Sequence, residues 1–247
     1  MHHPTSLISP DAKLGAGVKI GPFTIVHGNV EIGDDSVIGG HCEIGQPTPL
    51  AEGRPLVIGR GALIRSHSVF YEGSSFGDGL TTGHRVTVRE GIVAGRSLQI
   101  GTAGDFQGHC TIGDHVRSQS NVFVGQGARI GNFVWLLPYV VLTNDPHPPS
   151  NVLMGVEVED FAAIAAAAVI LPGVKVGRHS LVAACSLVNR DVEPHTVVAG
   201  VPAKPMGPTS AILLRDGSGR PAYPWTTHFT RGYPPEVVAR WQAGEAP

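Results

Sequence analysis

The sequence has no excess charge of either sign and few cysteines. It carries 18 Lys+Arg against 20 Asp+Glu in 247 residues, a formal net charge of -2. This balance provides neither a basic stripe for nucleic acid nor an acidic tail, so it favours a small-molecule substrate over a polymeric partner. The three cysteines, Cys42, Cys110 and Cys185, lie far apart without CxxC spacing. That spacing argues against a disulfide framework and a cysteine-bound zinc, and we expect reduced, packed thiols.

Long apolar runs are also missing. The longest, 161–171, is far shorter than the roughly 20 residues that cross a bilayer, so we expect no membrane partner. The first residues, MHHPTSLISPDA, lack an apolar signal core, and we expect a cytoplasmic protein. Aromatic residues make up only 6%, whereas there are 33 glycines and 20 prolines. Such a mixture is typical of disorder or of a repeat with many tight corners, and periodicity decides between them.

A six-residue period runs through most of the chain. Of 27 positions taken in steps of six, 25 are apolar, where composition alone would supply about eleven. The steps form three runs, 14–44, 58–142 and 158–188, and glycine follows the apolar residue in about half of these hexads. A helix has a period near 3.6 and a half-buried strand a period of two, so neither repeats in this way. Each hexad therefore predicts a short strand followed by a turn.

Three hexads would close one triangular coil with one apolar residue of each hexad inside. We predict an all-β protein of about nine such coils, stacked in parallel roughly 4.8 Å apart. Two segments break the period, 45–57 and 143–157, and their Pro, Gly and Asn content predicts loops that leave the corners. The first could equally be a tolerated insertion, whereas the second suits binding residues. We expect a β-helix over 1–207 and a C-terminal extension over 208–247 with a short helix beginning near Pro235.

These repeats resemble the left-handed parallel β-helix of bacterial hexapeptide transferases over roughly residues 10–207. The left hand comes from that resemblance, because ordinary crossover rules predict the opposite hand. The passage 162–207, which contains AAIAAAAVILPGV and GVPAKPMG, is similar to the terminal coils of acetyl-CoA-using members. The resemblance implies that small residues accept the pantetheine arm and that cations meet the nucleotide phosphates, at Ala165, Ala166, Ala183, Arg178, Arg190 and Lys204.

Acyl transfer from a thioester needs an acceptor nucleophile, a group that manages its proton and donors for the developing oxyanion. The segment TNDPHPPS after Leu142 resembles the TND loop of nucleotide-sugar N-acetyltransferases. The polar residues that suit these roles are a catalytic set of His109, His84 and Asp145 and a substrate-binding set of Asn144, His147, Asp105, Gln107, Arg85 and Asn121. The alternatives are an Asx turn at the loop entry, a proline-stiffened loop, and corner histidines that bond only to backbone. We expect most other histidines to be exposed turn residues, among them His27, His41, His67 and His179.

The repeat register allows some of these residues to be compared in space. His109 is the fourth residue of its hexad, and Asp145 is the fourth of a hexad two coils later, so both should mark one corner about 10 Å apart along the axis. His84, the third residue of its hexad, lies on another face. Members of the family trimerise with the site between subunits, which implies that groups on different faces can converge. The resemblance thus implies a homotrimer that acylates a sugar or nucleotide sugar with acyl-CoA.

Two other functions stay open. γ-Class carbonic anhydrases share this coil and bind zinc through three histidines, but the spacing of His84, His109 and His115 does not resemble theirs, and we expect no metal. A noncatalytic scaffold is the other alternative. The UDP-N-acetylglucosamine O-acyltransferases of lipid A synthesis carry a histidine two places before a Cys-Thr pair, whereas here His109 directly precedes Cys110 and Thr111. That catalytic assignment is therefore not carried over, and the TND loop favours N-acylation over O-acylation.

Overall fold

A computed structural model describes residues 2–243, which form a left-handed parallel β-helix followed by a tail. Sheet A has ten strands: Leu7–Ile8 (β1), Ile25–Val26 (β4), Glu43–Gln46 (β7), Val69–Tyr71 (β10), Thr87–Val88 (β13), Asp105–Phe106 (β16), Phe123–Val124 (β19), Val141–Leu142 (β22), Val169–Ile170 (β25) and Leu187–Val188 (β28). Sheet B has nine: Lys13–Leu14 (β2), Val30–Ile32 (β5), Leu56–Ile58 (β8), Ser75–Phe76 (β11), Val93–Ala94 (β14), Thr111–Ile112 (β17), Arg129–Ile130 (β20), Glu157–Val158 (β23) and Lys175–Val176 (β26). Sheet C has eleven: Lys19–Ile20 (β3), Val37–Ile38 (β6), Leu63–Ile64 (β9), Thr81–Thr82 (β12), Gln99–Ile100 (β15), Arg117–Ser118 (β18), Trp135–Leu136 (β21), Ala163–Ile164 (β24), Leu181–Val182 (β27), Thr196–Gly200 (β29) and Ala203–Pro208 (β30).

Most strands are two residues long, with the first residue facing outward and the second facing the core. Neighbouring strands pair in parallel one coil apart, as Thr81 does with Gln99. The inward positions fill the core with Ile, Val, Leu and Phe side chains. Two of the core-facing strand residues are polar, and their hydroxyls donate to nearby carbonyl oxygens: Thr82 Oγ1 to Gly83 at 2.8 Å and Ser118 Oγ to Gln119 at 3.4 Å. These bonds offset the cost of placing hydroxyls in an apolar core.

The coil is longer than the prediction of about nine turns, because β1 precedes the first predicted hexad and β29 follows the last. The hairpin of β29 and β30 is antiparallel and ends sheet C. Both interruptions are shorter than predicted. The first loop spans 47–55, with a 3₁₀ helix at Pro49–Ala51, because β7 extends to pair Gln46 with Tyr71. The second spans 143–156, because Glu157 pairs with Arg129.

Three corners connect the sheets, named here corner I after sheet A, corner II after sheet B and corner III after sheet C. At many corners the fourth residue of the hexad has a positive φ, as in His109 at 49° and Asn121 at 58°. This left-handed conformation turns the chain and leaves the side chain outside the coil. Cys185 occupies such a position on corner III and is exposed, so the expectation of packed thiols is wrong for it; Cys42 and Cys110 are buried.

The tail folds back over corner II and the outer face of sheet C. It contains 3₁₀ helices at Thr209–Ala211 and Trp225–Thr227 and the helix Pro235–Gln242 (α1), which begins where it was predicted. None of the helices within residues 2–243 is long and apolar enough to cross a membrane. Arg117 of sheet C holds the tail, because its guanidinium lies 3.9 Å from the Tyr233 ring centre and donates to the carbonyl oxygens of Arg231 and Gly232. The division of the chain at residue 207 stays a prediction.

Corner II carries a column of stacked rings under this tail. His115, Phe133, Phe161, His179 and His195 follow one another with ring centroids 5.0, 4.9, 4.8 and 5.0 Å apart. His179 is therefore half-buried between two rings, so the expectation of an exposed turn residue is wrong for it. Burial is the main cause that lowers the pKa of His179 to about 4, and His195 and Arg178 add to the effect. The stacked environment therefore favours the neutral form of His179.

We expect this buried histidine to make stability depend on pH. The ordinary histidine pKa is 6.5. Between pH 6.5 and about pH 4, His179 is therefore protonated in the unfolded chain but neutral in the folded protein. Stability from this residue is complete above that window, falls as the pH falls through it and changes no further below it. H179F keeps a ring in the column, and its Tm should fall less than that of the wild type between neutral pH and about pH 4. Circular dichroism melts at a series of pH values would test this, and identical pH profiles would contradict it.

Candidate functional site

All but one of the predicted site residues lie on sheet A or along its two edges. Corner III carries His84, Arg85, Asn121, Ala165, Ala166 and Ala183. Corner I and its loop carry Gln107, His109, Asn144, Asp145, His147 and Arg190. Asp105 faces outward from sheet A between them, and Lys204 lies on β30 opposite Ala199 at the end of the corner III row. Only Arg178 lies elsewhere, on corner II.

On corner III, His84 is exposed and held by its neighbours in adjacent coils. Its Nδ1 lies 2.8 Å from Ser66 Oγ, and its backbone N–H donates to Thr102 Oγ1 at 3.2 Å. Ser66 and Thr102 occupy the same hexad position as His84, one coil before and one coil after. Sequence reasoning missed this support, although the register alone could have revealed it. The contact with Ser66 fixes the orientation of an imidazole that faces solvent.

On corner I, His109 is exposed above Gly91 of the preceding coil. A Cβ at Gly91 would come within 2.7 Å of His109 Nδ1, and Gly91 has a φ of 73° that suits glycine. The glycine therefore makes room for the imidazole. The strands before His109 and Asp145, β16 and β22, lie two apart in sheet A, as the register predicted. Asp105 and Gln107 bond to each other beside His109, with Gln107 Nε2 donating to Asp105 Oδ1 at 2.8 Å.

Asp145 organises the loop at 143–156. Its Oδ1 accepts from the His147 N–H at 2.9 Å and from Ser150 Oγ at 2.7 Å, and its Oδ2 accepts from the Ser150 N–H at 2.8 Å. These bonds, the one from the Ser150 side chain foremost, lower the pKa of Asp145. The Asx turn considered from the sequence is thus present. Ser150 was not predicted, since nothing periodic marks a residue inside a loop. Asn144 closes the loop by accepting the Met154 N–H at 2.7 Å through its carbonyl oxygen.

The three outer faces of the coil differ in character. Sheet B presents a ladder of ion pairs in which Arg129 lies 3.0 Å from Glu157, and Lys175 lies 3.4 Å from Glu157 and 2.6 Å from Glu159. A shallow cavity of about 410 Å³ lies on this ladder, with Arg178 at its edge, and it holds none of the other predicted residues. The tail covers the part of sheet C around Arg117, Trp135 and Ala163. Sheet A is left with a row of apolar outward residues that the described tail does not cover: Phe123, Val141, Val169 and Leu187.

A single chain does not bring together the three histidines that were considered for a zinc site. His84, His109 and His115 lie on corners III, I and II, and no group of three metal-binding side chains occurs within residues 2–243. His115 is buried against Phe133, 5.0 Å away between ring centres, and burial lowers its pKa. The corner II histidine is therefore part of the packing under the tail.

Comparison with known proteins agrees with this architecture. The family model for the bacterial transferase hexapeptide, six repeats, matches residues 11–46. An acyl-[acyl-carrier-protein]–UDP-N-acetylglucosamine O-acyltransferase from Rhizobium johnstonii is 29% identical over 88% of this chain and 74% of its own length. A 2,3,4,5-tetrahydropyridine-2,6-dicarboxylate N-acetyltransferase from Staphylococcus aureus is 42% identical over 37% of this chain and 33% of its own length. These relatives are named as acyltransferases with different acceptors.

A solved structure supports the fold. The UDP-N-acetylglucosamine acyltransferase of Arabidopsis superposes with a TM-score of 0.73 at 18% identity, covering 84% of this chain and 74% of that one. At this identity the likeness concerns the coil alone.

The bonds to Asp145 generate a testable expectation. D145A removes three acceptor contacts, so the loop should open more often and a chymotrypsin-like protease should cut at Leu153 or Met154 several-fold faster than in the wild type. D216A is a matched control, because Asp216 similarly accepts the Ser218 N–H in the tail. It should leave that cleavage unchanged. Mass spectrometry of timed digests identifies the cut, and equal rates in D145A and wild type would contradict the loop-organising role.

Proposed function

We propose that this chain, in which residues 11–46 match the bacterial transferase hexapeptide model, is an acyltransferase that works as a homotrimer. In this proposal it moves a short acyl group from acyl-CoA to an amino or hydroxyl group of a sugar or nucleotide sugar. The observation that carries the proposal is the arrangement of the candidate residues along both edges of one uncovered apolar face. A cytoplasmic location stays a proposal.

The contrast between the faces supports the proposed trimer. Apolar outward residues such as Phe123 and Leu187 favour burial, whereas the ion-pair ladder of sheet B favours water. In a cyclic trimer that buries sheet A, corner I of one copy meets corner III of the next, because a heterologous interface joins unlike edges. His109 and the 143–156 loop of one copy would then approach His84 and the alanines of another. No single copy would hold a complete site.

The chemistry at such a cleft requires few groups. The acceptor nitrogen or oxygen attacks the thioester carbonyl, a C–N or C–O bond forms, and the C–S bond breaks to release a thiol. His84 or His109 takes the proton of the acceptor and can pass it to the leaving sulfur. Asn121, Asp105 and Gln107 would orient the acceptor. Asn144 and His147 would contact it from the loop.

The donor would lie along corner III. Ala165, Ala166 and Ala183 present little side-chain bulk, so an extended pantetheine arm can approach the backbone there. Lys204 follows at the end of the row and would meet a phosphate, and Arg190 would approach from corner I of the neighbouring copy, with Arg85 nearer the acceptor. Arg178 faces the opposite side of the coil and has no part in this arrangement.

Other functions find less support. A zinc site like that of γ-class carbonic anhydrases would need a third histidine near the cleft, and His115 is buried under the tail. A noncatalytic scaffold would not need His84, His109 and the loop along the edges of a single face. The TND loop favours N-acylation, whereas the relative matched over 88% of this chain is named as an O-acyltransferase that uses an acyl carrier protein. The assay below therefore varies both the acyl carrier and the acceptor group.

We expect the protein to release free thiol from acetyl-CoA when an acceptor is present. The assay combines acetyl-CoA or acetyl-acyl carrier protein with UDP- or dTDP-linked amino sugars and their hydroxyl counterparts, and mass spectrometry identifies the acylated product. K204A should raise the KM for acetyl-CoA by about tenfold, the loss of one charge-assisted contact. K13A, which removes an exposed ion pair on sheet B, is the control. Absence of thiol release with every acceptor and carrier would refute the function.

The shared cleft makes a second, sharper prediction. H84A and H109A should each lower kcat by roughly a hundredfold or more if each acts on the acceptor proton or its binding. Trimers mixed from the two variants contain some clefts with both wild-type histidines, about a quarter of them under random assembly. Activity should therefore return when the variants are refolded together or coexpressed. No recovery in mixed trimers, with assembly verified by light scattering, would contradict a site built from two copies.

A further inference from the structure

We propose that a cleft between the tail and sheet C binds the acyl chain of the donor, so that straight-chain acyl groups longer than acetyl are preferred. This inference rests on the proposed acyltransferase function and specifies its substrate class. The cleft has a volume of about 240 Å³. Its walls and floor are formed by Trp135, Leu137, Ala163, Tyr223, Trp225 and Phe229, with His228 at the rim.

Two of the aromatic walls, Trp135 and Trp225, present apolar surface because their indole N–H groups bond elsewhere. Trp135 Nε1 donates to Tyr233 Oη at 3.0 Å, and Trp225 Nε1 donates to the Phe161 carbonyl oxygen at 3.3 Å. Phe229 meets Trp135 edge to face with ring centroids 5.5 Å apart. A sugar or a charged group in this cleft would lose its hydrogen bonds to water, whereas an alkyl chain would not. The lining therefore selects an apolar occupant.

The position of the cleft identifies which apolar group could reach it. Leu137 follows strand β21 and Ala165 follows β24, so they are equivalent residues in successive coils; Leu137 N–H donates to the Ile164 carbonyl oxygen at 2.9 Å. Continuing through Ala183, the row reaches Lys204 on β30 after four strand spacings from Leu137, roughly 19 Å. An arm laid along this row from Lys204 ends at Leu137, three strand spacings or roughly 14 Å along corner III from His84. Within this inference the acceptor proton therefore goes to His109 of the neighbouring copy, and His84 contacts the acceptor. The acyl group at the end of the arm lies where the cleft begins.

The dimensions suit a chain of modest length. Sites for drug-sized ligands occupy roughly 300–1,000 Å³, and the cleft is smaller, with Ala163 as a floor that is almost fully buried. An acyl chain that enters the cleft would leave its thioester carbonyl at corner III. The transfer would break the C–S bond of the thioester and release the thiol, as for an acetyl group. Each methylene buried in such a cleft strengthens binding roughly fourfold.

The test compares acetyl, butyryl, hexanoyl and octanoyl groups carried on CoA and, separately, on acyl carrier protein. We expect kcat/KM of the wild type to rise from acetyl to at least hexanoyl on whichever carrier is used. A163V narrows the floor and should lower the hexanoyl-to-acetyl ratio of kcat/KM by about tenfold. F229A widens the wall and should shift the preference towards octanoyl. T111V, on sheet B, is the matched control and should leave the ratio unchanged.

The outcomes separate this inference from the function on which it rests. If the wild type acylates an acceptor but shows no gain beyond acetyl, or if A163V and F229A leave the ratio unchanged while melting like the wild type, the cleft does not hold the chain and the acyltransferase function stands. If no thioester is consumed on either carrier, both fail. Quenching of tryptophan fluorescence by hexanoyl-CoA, stronger than by acetyl-CoA and weakened in A163V, would support the chain site independently of the acceptor.

Discussion

The structure depends on a left-handed turn at the corners of the six-residue repeat. A non-glycine residue in that conformation costs on the order of 1–2 kcal/mol, yet many of the corners are occupied by such residues, including His109, Asn121 and His179. The cost is offset because each turn aligns the next strand for parallel pairing and places its second residue in the core. The side chain at the turn stays outside. A corner can therefore exchange glycine for histidine or asparagine without disturbing the packing within.

This separation of core and corner leaves the outer faces free to diverge. Sheet B satisfies its own charges through the ladder around Glu157, and the tail covers corner II and the part of sheet C around Trp135. Sheet A remains, bordered by the two corners that carry the polar candidates. The aromatic column and Arg117 thus matter to function indirectly, since by fixing the tail they determine which face is open. The tail that they fix also supplies Tyr223, Trp225 and Phe229 to the cleft that we assign to the acyl chain.

Prediction from the sequence succeeded where a short-range period carries the information. The coil, the identity of the inward residues and the relation of His109 to Asp145 all follow from counting in sixes. The tail could not be placed in this way, because the contacts of Trp225 and Tyr233 with corner II join residues about 60 to 120 positions apart and follow no period. The wrong expectation for His179 has a different origin, since its stacking partners Phe161 and His195 occupy the same corner in the neighbouring coils and the register could have indicated the contact. Arg178 was grouped with the alanines by sequence proximity, although the coil turns it to another corner.

The hydrogen bonds of the candidate site residues also separate their roles. A carboxylate whose pKa is lowered by three hydrogen bonds is a poor proton acceptor, and Asp145 has that environment. An imidazole, with an ordinary pKa near neutrality, is better matched to proton transfer at physiological pH. Within the proposed function we therefore assign Asp145 to positioning the loop and leave the proton to His84 or His109. The exposed loop segment Val152, Leu153 and Met154 supports this division, because a loop held by Asp145 can present those side chains to a neighbouring copy while both histidines remain on rigid corners.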